Sequence, residues 1–269
     1  MQAMKLHARS SLWRRGLRVF GSRLFHFAEN NDRPQMERNG ERWFLRQLLA
    51  IHAAGAKTGP FVVGDVGANA GCYTQAVLQE ARRINCAVEV HAFEPSPCCL
   101  DKLRHTFSGE SAVRLVGAAL ADQTGEATLF SGQSGGTHAS LVVRSGAARS
   151  GGGDVRVPRI RLEQYMKEHG LGHIGLLKLD IEGAELAALH GLGERLRPEV
   201  VEVIQFEYGG TTLDAGVTLR ELYDLLASRG YVLAKLFPHA LVRRDYADWM
   251  EHFAYANYVA LAPHWVATR

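Results

Sequence analysis

The sequence predicts an α/β fold with a mostly parallel central sheet and helices on both of its faces. Short apolar runs typical of strands alternate with helix-like segments along much of the 269 residues. The runs are rich in Val, Ile and Leu on both faces, which is typical of parallel strands covered on both sides. The first run leads through a small-residue turn, in which backbone can approach a ligand, into a helix. The strand-like runs are 61–66, 88–93, 113–120, 174–181 and 200–206, and the helix-like segments are 72–84, 97–107 and 183–192.

The N-terminal residues 1–57 are predicted to form a basic helical extension ahead of the α/β domain at 58–269. Apolar and basic residues are interleaved there, and the first acid is Glu29. We favour a helical cap packed on the domain, with a helix lying on an anionic membrane surface as the alternative. An uninterrupted apolar stretch of the kind in secretory signals is missing, and no run approaches the ~18 apolar residues of a membrane span. The basic residues are Lys5, Arg9, Arg14, Arg15, Arg18 and Arg23.

Charge and cysteine content argue against two kinds of site. A net charge of +3, with no Lys/Arg stripe interleaved with aromatic residues outside the N-terminus, predicts no nucleic-acid partner. The four cysteines lack the spacing of a structural zinc site and are typical of thiols in a reducing compartment. The sequence therefore predicts a cytoplasmic protein, peripheral to the membrane if the basic segment binds lipid. The cysteines are Cys72, Cys86, Cys98 and Cys99.

Residues 131–154 are predicted to form a flexible surface loop because Gly and Ser make up half of them. The loop follows a short strand at 126–130 and precedes a further strand and helix. It is interpreted as a lid over a site or as a disordered excursion. A helix over 217–230 then leads to two final strands, near 231–237 and 253–261.

Acidic residues stand at the ends of four predicted strands. Any one of them could cap the following helix. Because the carboxyl ends of parallel strands meet at one edge, where open sheets bind ligands, their recurrence predicts a ligand site. Lys178 shares a strand face with Asp180 and is predicted to pair with it or with another acid on that face of the sheet. The acids are Asp65, Glu94, Asp180, Glu182 and Glu207.

The turn after the first strand favours S-adenosylmethionine (SAM) as the ligand. Its pattern, Gly64-x-x-Gly67-x-x-x-Gly71, differs from the G-x-G-x-x-G of dinucleotide folds. Asp65 would repel a pyrophosphate but suits the cationic amino group of a methionine moiety, and Glu94 can accept hydrogen bonds from both ribose hydroxyls. A P-loop, a G-x-S-x-G elbow and an HExxH helix are all missing from the sequence.

In combination, several motifs resemble the FkbM family of SAM-dependent methyltransferases, in its order and spacing, over about residues 61 to 261. The resemblance implies a class I methyltransferase fold, with a seven-stranded sheet whose last strand is antiparallel, and activity mostly on hydroxyl oxygens. The chain departs from the family at "RLEQY", where the family often has a Thr-Leu-Asp triplet. The motifs are "DVGANAGCYT" (65–74), "FEPSP" (93–97), "GAALADQTGEATLF" (117–130), "LLKLDIEGAELAALHGL" (176–192) and "IQFEY" (204–208).

The resemblance also implies roles for particular residues. The turn after the first strand would line the methionine and ribose side of SAM, and the start of the next helix would lie beneath it. Glu94 would bind the ribose hydroxyls with Pro95 beside it, and the segment from Ala118 to Asp122 would flank the adenine. Asp180 would lie near the amino group and the transferring methyl. The implied cofactor residues are Asp65, Gly67, Asn69, Gly71, Tyr73, Thr74, Glu94, Pro95, Ala119, Asp122 and Asp180.

Methyl transfer to an alcohol needs a general base. Asp180 and Glu182 are the first candidates because both follow the fourth strand, and His138 in the Gly/Ser loop is another. The predicted acceptor is a small molecule, a hydroxyl of a saccharide or secondary metabolite. A peptide or amine acceptor, a non-catalytic SAM-binding protein and a nicotinamide oxidoreductase are the alternatives. Asp180, Glu182 and Glu207 could together hold a divalent metal, but no spacing demands one and none is predicted.

Overall fold

The computed structural model describes residues 12–55, 59–130, 140–142 and 154–266. In chain order the strands are β1 (Phe61–Val66), β2 (Val88–Phe93), β3 (Val113–Val116), β4 (Ala119–Leu120), β5 (Gly125–Leu129), β6 (Val155–Ile160), β7 (Ile174–Leu179), β8 (Val201–Tyr208), β9 (Val232–Phe237), β10 (Ala240–Arg243) and β11 (Ala256–Leu261). The helices are α1 (Leu12–Ala28), α2 (Met36–Asn39), α3 (Glu41–Ala54), α4 (Cys72–Arg83), α5 (Pro97–Thr106), α6 (Leu162–Glu168), α7 (Glu185–His190), α8 (Gly210–Asp214) and α9 (Leu219–Ser228).

The main sheet has the strand order β10-β9-β11-β8-β7-β1-β2-β3. The strands from β8 to β3 are parallel, whereas β11 runs antiparallel to both of its neighbours, β8 and β9. The predicted α/β fold, with the last strand antiparallel, is therefore confirmed. The order reverses between β1 and β7, so the two strand ends flank the position where open α/β sheets bind ligands.

Helices cover both faces of this sheet because neighbouring strand residues point to opposite sides. On β7, Leu177 belongs to a core with α6, α7 and α9, while its neighbour Leu176 belongs to a core with α3 and α4. On β8, Ile204 and Val203 divide in the same way. The apolar face of α3 is buried in the second core, in which it places Phe44.

The structure departs from the predicted elements in two places. The main sheet has eight strands rather than seven, because β10 folds back onto β9 as a short hairpin. The predicted strand 113–120 is divided: β3 pairs with β2, and β4 leaves to join β5 and β6 in a separate three-stranded sheet. This apolar run gives no local sign of the division, because both halves are covered by other parts of the fold.

The N-terminal extension has two different parts. α3 packs on the sheet, but α1 has no buried residue. Between them, Asn30 is buried and its side-chain amide donates hydrogen bonds to the carbonyls of Leu236 and Asn39. In the described ranges no helix is long and apolar enough to cross a bilayer. Lys5 and Arg9, and most of the loop 131–154, lie outside the described residues.

Candidate functional site

Two adjoining cavities lie at the carboxyl ends of β1, β2, β7 and β8. The first has a volume of about 350 Å³ and the second about 540 Å³. Glu94 and Glu207 line the first cavity, whereas Asp65 and Lys178 line the second. Both cavities are bordered by Pro34, Gly67, Asn69, Asp180 and Tyr255.

The turn after β1 forms the partition between the cavities. Gly67 has φ +85°, and a Cβ atom there would lie 2.0 Å from the carbonyl oxygen of Asp180. Its amide donates a hydrogen bond to the carbonyl of Phe93 at 3.0 Å. Glycine thus lets the turn lie directly against the ends of β7 and β2.

Replacing Gly67 by alanine is expected to destabilise the fold by about 3 kcal/mol or more, because it combines a left-handed conformation with a clash against backbone. Gly109 is the matched control, since its φ is +80° but a Cβ atom there would meet nothing within 4 Å. Gly109→Ala should cost only about 1 kcal/mol. Denaturant unfolding measures both, and equal losses would contradict the close packing at Gly67.

Glu94 is fixed at the end of β2 by two backbone donors. Its Oε1 accepts from the Ser96 amide and its Oε2 from the Asn69 amide, both at 2.8 Å. Burial raises the pKa of Glu94, and these two hydrogen bonds oppose the rise. Because a carboxylate offers about four acceptor positions, it can still accept hydrogen bonds from a ligand in the first cavity.

Asp65 is buried beside the second cavity with one oxygen unpartnered. The Thr74 hydroxyl donates to its Oδ2 at 2.6 Å, while Oδ1 has no hydrogen-bond partner. The buried hydroxyl of Tyr73, in the same cavity, also has none. Burial raises the pKa of Asp65. Unpaired buried polar atoms are costly, so their grouping at a cavity suits a ligand with hydrogen-bond donors.

Lys178 lies on the wall of the second cavity, close to the carboxyl groups of Asp180, Glu41 and Asp65. As predicted, it pairs with Asp180, with Nζ 2.6 Å from Oδ2, and it also lies 5.0 Å from the centre of the Tyr73 ring. Burial alone would lower the pKa of Lys178, but Asp180, Glu41 and Asp65 together raise it well above its usual value. The lysine is therefore a fixed positive charge in the cluster.

Glu207 lies at the end of β8, on the wall of the first cavity. Burial, followed by the nearby charge of Asp180 and a hydrogen bond with it, raises the pKa of Glu207 to about 10. Burial and the neighbouring carboxylate therefore favour the protonated form of Glu207, which can share its proton with Asp180. Because Asp180 already accepts from Lys178, it is held from two sides.

Glu182 lies on the wall of the first cavity in a left-handed conformation, with φ +56°. The hydroxyl of Ser140 donates to its backbone carbonyl at 2.9 Å. This turn after β7 delays the next helix, which begins at Glu185 rather than at 183. The side chain of Glu182 is half-buried at the wall, where a bound molecule could contact it.

Most of the predicted site residues are brought together. Among the described residues, three predicted positions do not line either cavity: Gly71, Thr74 and Asp122. Gly71 packs against α5, where a Cβ atom would lie 2.7 Å from the Phe107 ring, and Asp122 is exposed. His138 lies outside the described residues. The predicted residues that line a cavity are Asp65, Gly67, Asn69, Tyr73, Glu94, Pro95, Ala119, Asp180 and Glu182.

Sequence reasoning missed several contributors from outside the strand ends, among them Pro34, Glu41 and Tyr255. Glu41 is buried and accepts a hydrogen bond from the side-chain amide of Gln205 at 2.7 Å. It occupies the apolar face of α3 together with Leu45, and a lone acid on such a face is a signal that could have identified it. Pro34 and Tyr255 carry no comparable signal.

The sequence matches a methyltransferase family model and two known methyltransferases. Residues 65–233 match the Methyltransferase FkbM domain family. The chain is 27% identical to 31-O-demethyl-FK506 methyltransferase FkbM of Streptomyces tacrolimicus over 64% of this chain and 73% of that protein. It is also 27% identical to the 2-O-methyltransferase NoeI of Sinorhizobium fredii (strain NBRC 101917 / NGR234), over 81% of this chain and 88% of that protein.

A solved structure of Methyltransferase FkbM from Methylobacillus flagellatus KT aligns with 77% of this chain and 45% of its own, at 14% identity and a TM-score of 0.47. The match to the FkbM domain spans more than half of the present sequence and includes the ends of β1, β2, β7 and β8. The chain is therefore a member of the FkbM methyltransferase family.

Proposed function

We propose that the protein transfers the methyl group of SAM to a hydroxyl oxygen of a small molecule, a saccharide or secondary metabolite. The observation that carries the proposal is the pair of buried acids on either side of the Gly67 turn: Glu94 beside the first cavity and Asp65 beside the second. Two relatives whose names specify O-methylation, the FK506 enzyme and NoeI, support the choice of oxygen.

The two cavities differ in a way that suits the two ends of SAM. Apolar atoms of Phe93 and Leu120 border the first cavity next to Glu94, which suits a purine ring and a ribose. Asp65, whose Oδ1 has no hydrogen-bond partner, borders the second, which suits an ammonium group. When bound, SAM would supply an electrophilic methyl group on a sulfonium, and the acidic surroundings favour its positive charge.

The remaining requirement is a group that takes the proton of the acceptor hydroxyl. The raised pKa of Glu207 makes it a poor proton acceptor, and Asp180 is held by Lys178 and Glu207. Glu182 faces the first cavity from a fixed turn, so we assign it as the proton acceptor, with Asp180 orienting the charged end of the site. His138 stays a candidate from the sequence.

Calorimetric titration with SAM and with its demethylated product tests the cofactor. Wild-type protein should bind both in the micromolar range, and Glu94→Ala should weaken binding roughly 10- to 100-fold because it removes charged acceptors for two hydroxyl donors. Glu89→Ala is the matched control: it removes a half-buried carboxylate from the same strand that lines neither described cavity.

Four outcomes would contradict the proposal. NAD binding in place of SAM would indicate an oxidoreductase, and equal weakening by both variants would mean that Glu94 has no special role. Once SAM binding is established, transfer of labelled methyl to hydroxyl, amine and peptide acceptors should be compared. Transfer to nitrogen alone would refute O-methylation, and binding without transfer to any acceptor would indicate a non-catalytic protein.

A further inference from the structure

Helix α1 presents an apolar stripe to solvent. Its large apolar residues recur at alternating spacings of four and three, which places them on one face of a helix. Each of these side chains is between 52% and 74% exposed, although such residues are usually buried when a helix packs on its own domain. The stripe consists of Trp13, Leu17, Phe20, Leu24 and Phe27.

The rest of α1 is basic. It has no acidic residue between Leu12 and Ala28, and its arginines lie beside the stripe or on the opposite side of the helix. If α1 were an ordinary solvent-exposed helix that binds nothing, the regular spacing of its exposed apolar residues would have no explanation. The arginines are Arg14, Arg15, Arg18 and Arg23.

We propose that α1 docks the protein on an anionic lipid bilayer, with the apolar stripe inserted among the headgroups and the arginines near lipid phosphates. A helix with Trp, Phe and Leu on one face and arginine on the other has the chemistry of helices that lie in the membrane interface. At about 1.5 Å per residue, α1 is roughly 25 Å long and lies along the surface rather than across it.

The positive charge of α1 favours an anionic bilayer over a second copy of this chain as the partner of the stripe. The stripe also has the spacing of a helix pair, so self-association through α1 is the main competitor. Two copies of α1 would bring arginines together without any acid on the same helix to pair with them. An anionic surface supplies the opposite charge, so the composition favours lipid.

The C-terminal end of α1 is tied to the body of the protein. The Phe25 ring contacts those of Trp249 and His252, at centroid distances of 6.2 and 5.1 Å. The following segment is anchored by Asn30 and reaches Pro34, which borders both cavities. Because the chain from α1 to Pro34 spans at most about 20 Å, docking holds the cavities close to the lipid surface.

Vesicle co-sedimentation of the full chain tests the proposal, independently of methyl transfer. We expect binding to vesicles of equal parts phosphatidylcholine and phosphatidylglycerol, and little to phosphatidylcholine alone. The double variant Phe20→Ser/Leu24→Ser should bind on the order of 100-fold more weakly. The triple variant Arg14→Gln/Arg15→Gln/Arg23→Gln should lose roughly 100-fold and most of its salt dependence.

Matched controls separate docking from general surface changes. Ile51→Ser removes another exposed apolar side chain, and Arg83→Gln/Arg104→Gln/Arg156→Gln removes exposed arginines elsewhere, so both should bind vesicles like wild type. All variants should unfold at the wild-type temperature, since α1 has no buried residue.

The proposal fails if wild-type protein does not bind anionic vesicles, or if the α1 variants bind as well as their controls. It also fails if wild type forms a dimer in solution that Phe20→Ser/Leu24→Ser dissociates while vesicle binding is absent. That result would assign the stripe to an interface between copies.

Discussion

Lys178→Met is expected to destabilise the protein by about 3–5 kcal/mol at pH 7.5, because it removes the cation from a group of buried carboxyls. Lys178 pairs with Asp180 at 2.6 Å, and its charge also lowers the pKa of Glu41 and Asp65 against the larger effect of burial. Methionine fills a similar volume without charge, so the loss reports on electrostatics more than on packing. Denaturant unfolding at pH 5 and pH 7.5 provides the measurement.

The stability lost in Lys178→Met should change with pH in one direction. The pKa values of Glu41 and Asp65 are raised in the folded protein, so each contributes stability below its unfolded pKa that is lost as pH rises through its folded pKa. Without Lys178 these folded pKa values rise further and the loss is greater. The gap between wild type and Lys178→Met should therefore be smaller at pH 5 than at pH 7.5.

Lys235 provides the matched control because it is also buried. Burial lowers the pKa of Lys235 to about 8, so its own titration changes stability only above about that pH. Its partner Glu29 keeps a second cation, Arg244, at 3.0 Å. Lys235→Met should therefore cost nearly the same at pH 5 and pH 7.5. If Lys178→Met loses the same amount of stability at pH 5 as at pH 7.5, the role given to Lys178 is contradicted.

Glu182→Gln is expected to lower kcat about 10²- to 10⁴-fold while SAM affinity changes little, if Glu182 takes the proton in the proposed reaction. The amide keeps the size of the side chain and the turn after β7, where the backbone carbonyl of Glu182 accepts from Ser140. Steady-state kinetics across pH gives a second measure. The acidic limb of the wild-type profile should disappear from the variant.

Two further variants distinguish Glu182 from its neighbours. Glu126→Gln alters an exposed carboxylate on β5 that lines neither described cavity, and should leave kcat unchanged. Asp180→Asn should weaken SAM binding and stability together, since it breaks the pair with Lys178. If Glu182→Gln retains wild-type kcat while Asp180→Asn abolishes turnover without loss of SAM, the base is Asp180.

The strand ends could be predicted because the information is local. Three of the apolar runs carry an acid at their carboxyl end: Asp65 is the next-to-last residue of β1, and Glu94 and Asp180 directly follow β2 and β7. The alternation of strands and helices then places these ends at one edge of a parallel sheet. Strand periodicity likewise places Lys178 and Asp180 on one face, but it leaves open which acid on that face pairs with the lysine.

Other parts of the cavity walls could not be predicted in this way. Pro34 and Tyr255 come from segments far apart in sequence, and neither segment has a pattern that reflects the site. The hairpin of β9 and β10 is short, and β10 buries little, so its alternation is weak. Gly71 illustrates the opposite error. The sequence predicts it as a cofactor residue because it lies in the turn after β1, but the structure explains this glycine by its packing against Phe107.

The position of β11 has a consequence for how the protein is made. Among the described strands it comes last along the chain, yet it lies inside the sheet between β8 and β9. At ~5–20 residues per second, the stretch from β8 to β11 needs several seconds to leave the ribosome, during which β8 has an open edge. Tyr255 directly precedes β11 and borders both cavities, so a nascent chain has no complete binding site. A ligand that needs both cavities can therefore stabilise the fold only after β11 has joined the sheet.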